Sequence, residues 1–205
     1  MSIDYHRAEL KIALDPSHPS HILPPAAPQS YQVLDVGCGA GQTLVAAYPD
    51  RISFGIDIDF AALKLGRCLT DQVCFVCGKA ENLPYRSGQF DLVVARVSLT
   101  YTNIIDSLRE IHRVLKKGGT LWMTLHPFSI PWRQAKESNL KGRVFFAYVV
   151  LNGVVFHLLQ RQFSFRGKYE SFQTIWGICR ALRKTEFETI SITRGKHFEA
   201  TARSR

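Results

Sequence analysis

The sequence predicts one α/β domain: a doubly wound, mainly parallel sheet of seven strands with a C-terminal antiparallel hairpin. Three observations predict it. Short β-rich runs alternate with segments of helical spacing, which forces crossover connections and hence parallel strands. A glycine-rich turn, "VGCGAGQ", follows the first of those runs, where open α/β sheets bind their ligands. The end of the chain, "FETISITRGKHFEATARS", reads as two alternating runs joined at Arg194 and Gly195, the pattern of a tight hairpin.

The elements follow in order. Residues 2–14 read as a helix, and "DPSHPSHILPPAAP" after them is a proline-rich connector that excludes regular structure, so residues 1–30 precede the sheet. Strands are predicted at 31–36, 52–57, 73–77, 90–95 and 119–125, with helices at 59–69 and 103–115. In the second helix Ile104, Leu108, Ile111 and Leu115 fall on one face, and Asp106, Arg109, Glu110 and Arg113 face water. Lys116 and Lys117 followed by Gly118 and Gly119 suit its C-terminus, where cations meet the dipole and glycine provides a left-handed cap. The whole, residues 1–205, is expected to be a single domain, with 46% hydrophobic and 21% charged residues.

Charge and cysteines narrow the setting. Residues 1–132 carry 12 Lys+Arg against 12 Asp+Glu, whereas residues 133–205 carry 14 against 5, so the whole net charge of +9 is C-terminal. Such a basic third suits a solvated surface first, and nucleic acid, a membrane surface or an anionic substrate second. Five cysteines form no disulfide framework and fit a reducing compartment. Cys74 and Cys77, three apart on a predicted strand, point to opposite faces and read as buried small hydrophobes, not metal ligands. The N-terminus, "MSIDYHRAEL", has no signal pattern. The most apolar run, "VFFAYVVLNGVVFHLL" at 144–159, is 16 residues long and interrupted, short of the about 20 a span needs. A cytoplasmic protein without a membrane span is expected.

Two cofactor classes compete for the glycine turn. The dinucleotide fingerprint wants glycines at relative positions one, three and six, but position six from Gly37 is Gln42; here Gly37, Gly39 and Gly41 are evenly spaced. Asp57, at the end of the second strand, suits either class, because both present a ribose diol that a carboxylate grips. Asp35 tips the balance. A carboxylate two residues before the turn repels a pyrophosphate but attracts the sulfonium and ammonium of S-adenosylmethionine, directly or through a water.

With those residues in view, 33–126 resemble the core of class I S-adenosylmethionine-dependent methyltransferases, being most similar to the type 11 methyltransferase domain that includes ubiquinone and menaquinone biosynthesis enzymes. Four blocks match in order: "VLDVGCGAG", "GIDID", "KAENLPYRSGQFDLVVA" and "LREIHRVLKKGGTLWMT". The resemblance implies a Rossmann-like methyltransferase fold. It implies main chain of Gly37, Cys38 and Gly39 against the methionine part of the cofactor, Asp57 on the ribose hydroxyls, Ile58 on one face of adenine, the Ala80 amide at the adenine ring, and Arg96 main chain near the methionine. This chain departs from the pattern twice. Lys79 stands where the family commonly has an acid for the adenine amino group, and Glu186 where it usually has a helix-end glycine.

Methyl transfer from a sulfonium is an in-line displacement on an activated carbon, so positioning and water exclusion carry most of the catalysis. His126, directly after the fifth strand in "TLHPF", is the candidate general base, with strand capping as its structural alternative. No acid and histidine cluster suggests a metal, and metal-independent transfer is expected. Residues 127–172 are expected to form an insertion that lies over the sheet as a substrate lid, with Phe145, Tyr148 and Phe156 lining an apolar or aromatic acceptor pocket. Phe163 and Phe165 alternate as on a half-buried strand, which puts a small-molecule acceptor ahead of RNA. Transfer to RNA or protein, a domain that binds the cofactor without transferring methyl, and a dehydrogenase are the alternatives.

Overall fold

The computed structural model describes residues 3–125, 139–165, 167, 169–194 and 198–205. Its centre is one seven-stranded sheet in the order β3-β2-β1-β4-β5-β7-β6. The strands are β1 (Val33–Val36), β2 (Ser53–Asp57), β3 (Val73–Cys77), β4 (Phe90–Arg96), β5 (Leu115–Leu125), β6 (Phe187–Arg194) and β7 (Phe198–Ser204). β1 to β5 are parallel, and β7 runs antiparallel to both β5 and β6. The seven strands and the closing hairpin agree with the sequence expectation. Residues 195–197 of the hairpin connection lie outside the described residues.

Both faces of the sheet are covered, which is why β1 reads as an unbroken buried run, not an alternating one. Leu34, Val36, Val93, Leu121 and Met123 pack on one side with Leu108 and Ile111 of α4 (Ile104–Val114) and Ile178 of α6 (Ile175–Lys184). Val33, Leu92, Val94 and Trp122 pack on the other with Leu44 of α2 (Gln42–Ala47) and Leu63 of α3 (Phe60–Leu69). Phe75 of β3 fits this second layer only because two neighbours lack side chains. A Cβ on Gly41 would stand 2.9 Å from its ring and one on Gly66 2.5 Å.

Local chemistry sets the helix starts. Asp59 accepts from the N–H groups of Ala61 and Ala62, Asn139 from Gly142 at the start of α5 (Leu140–Leu159), and Thr174 from Gly177. α1 (Ile3–Leu14) lies against α2 and α3.

Five sequence expectations are corrected. α4 ends at Val114, not at a glycine cap: Lys116 to Gly119 belong to β5, and Gly118 (φ +75°) sits in a bulge between the Phe90–Leu115 and Leu92–Thr120 pairs. Cys74 and Cys77 are exposed, because β3 is an edge strand. The apolar run belongs to a helix of 20 residues, long and apolar enough by composition to cross a membrane, so shortness gives no argument against a span. Phe163 and Phe165 are exposed in a segment without regular structure, and Phe156 is 1% exposed in the core, not a pocket wall.

Candidate functional site

The carboxyl ends of β1, β2 and β4 converge on the glycine turn. Gly37, Gly39 and Gly41 all have positive φ, between +56° and +79°, which explains why the turn admits no ordinary side chain. Space is equally short: a Cβ on Gly37 would stand 2.2 Å from that of Ser98, whose hydroxyl donates to the Val36 carbonyl. Val97, between Arg96 and Ser98, is also left-handed (φ +61°), a strained state for a β-branched residue. Its N–H holds to the Thr124 carbonyl and hydroxyl, at 3.1 and 3.0 Å.

Every N–H of the turn is used inside the protein. Those of Gly37 and Cys38 donate to the Ile56 carbonyl (2.8 and 3.1 Å), that of Gly39 to Asp57 Oδ2 (2.8 Å), that of Ala40 to Gln42 Oε1 (3.1 Å) and that of Gly41 to the Cys38 carbonyl (2.8 Å). A phosphate needs such donors, so this turn is not built for one. The Cys38 side chain points into the protein towards Gly55, and burial pushes its thiol pKa well up.

A buried carboxylate stands beside the turn. Asp35 is 1% exposed, and its Oδ1 has no hydrogen-bond partner. Burial raises its pKa to about 7, with Arg96 pulling it down and Asp57 pushing it up. A cation beside Oδ1 relieves that penalty. Asp57 Oδ1 accepts from the Asp59 N–H (2.8 Å), so each carboxylate oxygen holds one main-chain N–H and keeps a lone pair for a hydroxyl.

The structure brings Asp35, Gly37, Cys38, Gly39, Asp57 and Arg96 to this one edge. Ile58 is 71% exposed just beyond Asp57, and Ala80 is buried on the loop after β3. The acid next to Ala80, Glu81, turns away to accept from the Asn103 N–H (2.9 Å), so it does not replace the acid missing at exposed Lys79. His126 lies outside the described residues, one residue beyond the end of β5.

Sequence reasoning missed the contribution of α1. Glu9 pairs with Arg96 at 2.6 Å, and a Cβ on Gly39 would stand 2.9 Å from His6 Nδ1, which lies 3.1 Å from Gln42 Nε2. His6 is buried, and its Nε2 has no hydrogen-bond partner, with Asp59 Oδ2 3.8 Å away. The polar i, i+3 pair His6 and Glu9 is the only trace of this in the sequence. Nothing local says what it meets.

Against this geometry, residues 34–123 match the family described as a methyltransferase domain. An uncharacterized methyltransferase of Synechocystis is 38% identical over 92 residues, covering 43% of each chain. The ubiquinone/menaquinone biosynthesis C-methyltransferase of Rhizobium rhizogenes is 31% identical over 132 residues, covering 59% of this chain and 49% of its own. The matched stretch thus spans under half the length of either relative. In fold, a Thermotoga maritima S-adenosylmethionine-dependent methyltransferase, a possible histamine N-methyltransferase, superposes over 98% of this chain and 89% of its own, with a TM-score of 0.60 and 18% identity.

Proposed function

We propose that this chain, a member of the methyltransferase domain family with the fold of the S-adenosylmethionine-dependent enzymes, transfers a methyl group from that cofactor to a small apolar or aromatic acceptor. One observation carries the cofactor assignment. The turn has no spare N–H, and beside it lies a buried carboxylate with an unpartnered oxygen. That lining suits an ammonium and a sulfonium and opposes a pyrophosphate.

Asp35 holds the ammonium, Gly37, Cys38 and Gly39 lay bare main chain along the methionine part, and Asp57 takes the ribose diol through two charge-assisted hydrogen bonds. Ile58 covers one adenine face, the Ala80 amide meets the ring edge, and Arg96 closes the methionine end. The bound cofactor supplies an already activated methyl carbon. The chain supplies alignment, exclusion of water and, where the acceptor must lose a proton, His126 as base. Residues 127–172 form the lid over the acceptor, no metal takes part, and residues 1–205 act as a single unit. We place the chain in the cytoplasm, a reading supported by five cysteines that are all free.

The test is titration calorimetry with S-adenosylmethionine and, in parallel, NAD. We expect binding of the first only, and a loss of at least tenfold in Asp57→Ala, since each charge-assisted bond contributes about 1.5–3 kcal/mol. Heat from NAD alone, or an unaltered affinity in the variant, refutes the assignment. Binding without turnover across a broad acceptor screen turns the reading to a non-catalytic sensor, the alternative that Lys79 favours.

A further inference from the structure

The outer face of α5 carries an apolar stripe that no described residue covers. Leu140, Val144, Ala147, Leu151, Val154 and Leu158 follow one another at spacings of four, three, four, three and four, and all six are exposed, Leu140 by 77% and Leu151 by 59%. The stripe is about 27 Å long at the rise of an α-helix. The opposite face is fixed to the protein through Val149, Asn152, Gly153 and Phe156, all buried. An apolar surface of this size on a folded chain marks an interaction site.

Charge identifies the occupant. Residues 139–168 contain Lys141, Arg143, Arg161, Arg166 and Lys168 and no Asp or Glu. Exposed Lys141 and Arg143 stand at one end of the stripe and exposed Arg161 just beyond the other. Near that second end Trp176 is half exposed. The Arg180 guanidinium lies 4.3 Å over its ring and donates to the carbonyls of His157 and Leu158. Pairing of α5 with a second copy sets cation against cation in either direction, with no acid in the helix to answer. An anionic lipid surface meets all of these features: acyl chains for the stripe, headgroups for the cations, and the interfacial depth for tryptophan.

We propose that α5 docks this protein on anionic membranes, lying in the interface without crossing it. Asn152 settles the orientation. Its amide nitrogen lies 3.2, 3.0 and 3.1 Å from the carbonyls of Phe163, Tyr169 and Glu170, and its oxygen accepts from the Phe163 N–H at 2.7 Å. Gly153 lies so close to Phe172 that a Cβ would stand 2.3 Å from its ring. A spanning helix would have to break all of this, whereas a flat one breaks none. The proposal does not depend on the methyl-transfer reading.

The test is co-sedimentation of the full chain with phosphatidylcholine vesicles, with and without phosphatidylglycerol, beside light scattering of the free protein. We expect binding to the anionic vesicles, a loss of at least tenfold in Leu151→Glu/Val154→Glu with an unchanged melting temperature, and about a hundredfold loss in Lys141→Ala/Arg143→Ala/Arg161→Ala, roughly fivefold per cation. Protein that stays in the supernatant with both vesicle types overturns the proposal. If it is then a dimer that Leu151→Glu/Val154→Glu dissociates, the stripe joins two copies; if a monomer, the chain covers its own stripe. Unchanged binding in the glutamate variant also overturns it.

Discussion

Asp35→Asn isolates the buried charge at the heart of the candidate site. In the unfolded chain this carboxyl titrates near 3.8; in the fold, burial moves it to about 7. Below pH 3.8 both states are protonated and the group costs nothing. Between pH 3.8 and 7 the folded state keeps a proton that the unfolded state releases, so stability falls as pH rises, and above 7 the cost is complete. A shift of about three units corresponds to about 4 kcal/mol, the ceiling on what the variant gains at alkaline pH. For a chain of this length that is a rise in melting temperature of about 10 °C at pH 8.5 and less than half of that at pH 5, by calorimetry without cofactor. Cofactor binding should move the opposite way. An ammonium beside Oδ1 draws Asp35 to its ionised form, so binding at pH 6 releases a proton, measurable by titration in buffers of different ionisation enthalpy, and the variant loses both the release and the affinity. An equal difference in melting temperature between the two proteins at both pH values refutes the account of Asp35 as a buried, destabilising charge.

Two further substitutions test the frame around the site. Glu186 holds a left-handed backbone (φ +67°) between α6 and β6, so Glu186→Gly relieves strain and should stabilise by about 0.5–1 kcal/mol in urea unfolding. Phe156 joins α5 to the core beneath it, so Phe156→Ala should destabilise by about 3–5 kcal/mol in the same assay; a smaller effect would show that α5 is not packed as described.

The parts of the molecule legible in sequence are those fixed by local chemistry. β3 was readable to the residue because its β-formers stand between turn residues, and α3 to within one residue, since Asp59, expected inside the helix, caps it instead. The expected Glu186 departure had a geometric counterpart, since the left-handed conformation there is what glycine would have served. Lys116 to Gly119 misled, because cations and glycines suit a helix end and a bulged strand alike, and the choice is made by Phe90, far back in the chain. Arg113 read as a solvated charge. Its guanidinium instead holds Glu110 and the carbonyls of Leu83 and Tyr85, securing the loop that carries Ala80. Asp35, the glycines and Asp57 were singled out by spacing and charge, and the fold brings them to one sheet edge, whereas the partnership of Glu9 with Arg96 spans 87 positions and leaves no periodic trace.

The ring of Phe75, wedged against two bare α-carbons, ties three distant positions into one unit of inheritance. A methyl at 66 demands both a smaller residue at 75 and a shift of the Ala40 carbonyl, 2.9 Å from that position, while 41 stays closed because its backbone conformation, and not the ring alone, forbids a side chain. The edge strand, though it touches no ligand in the proposed arrangement, therefore restricts how the ligand-facing loop can evolve.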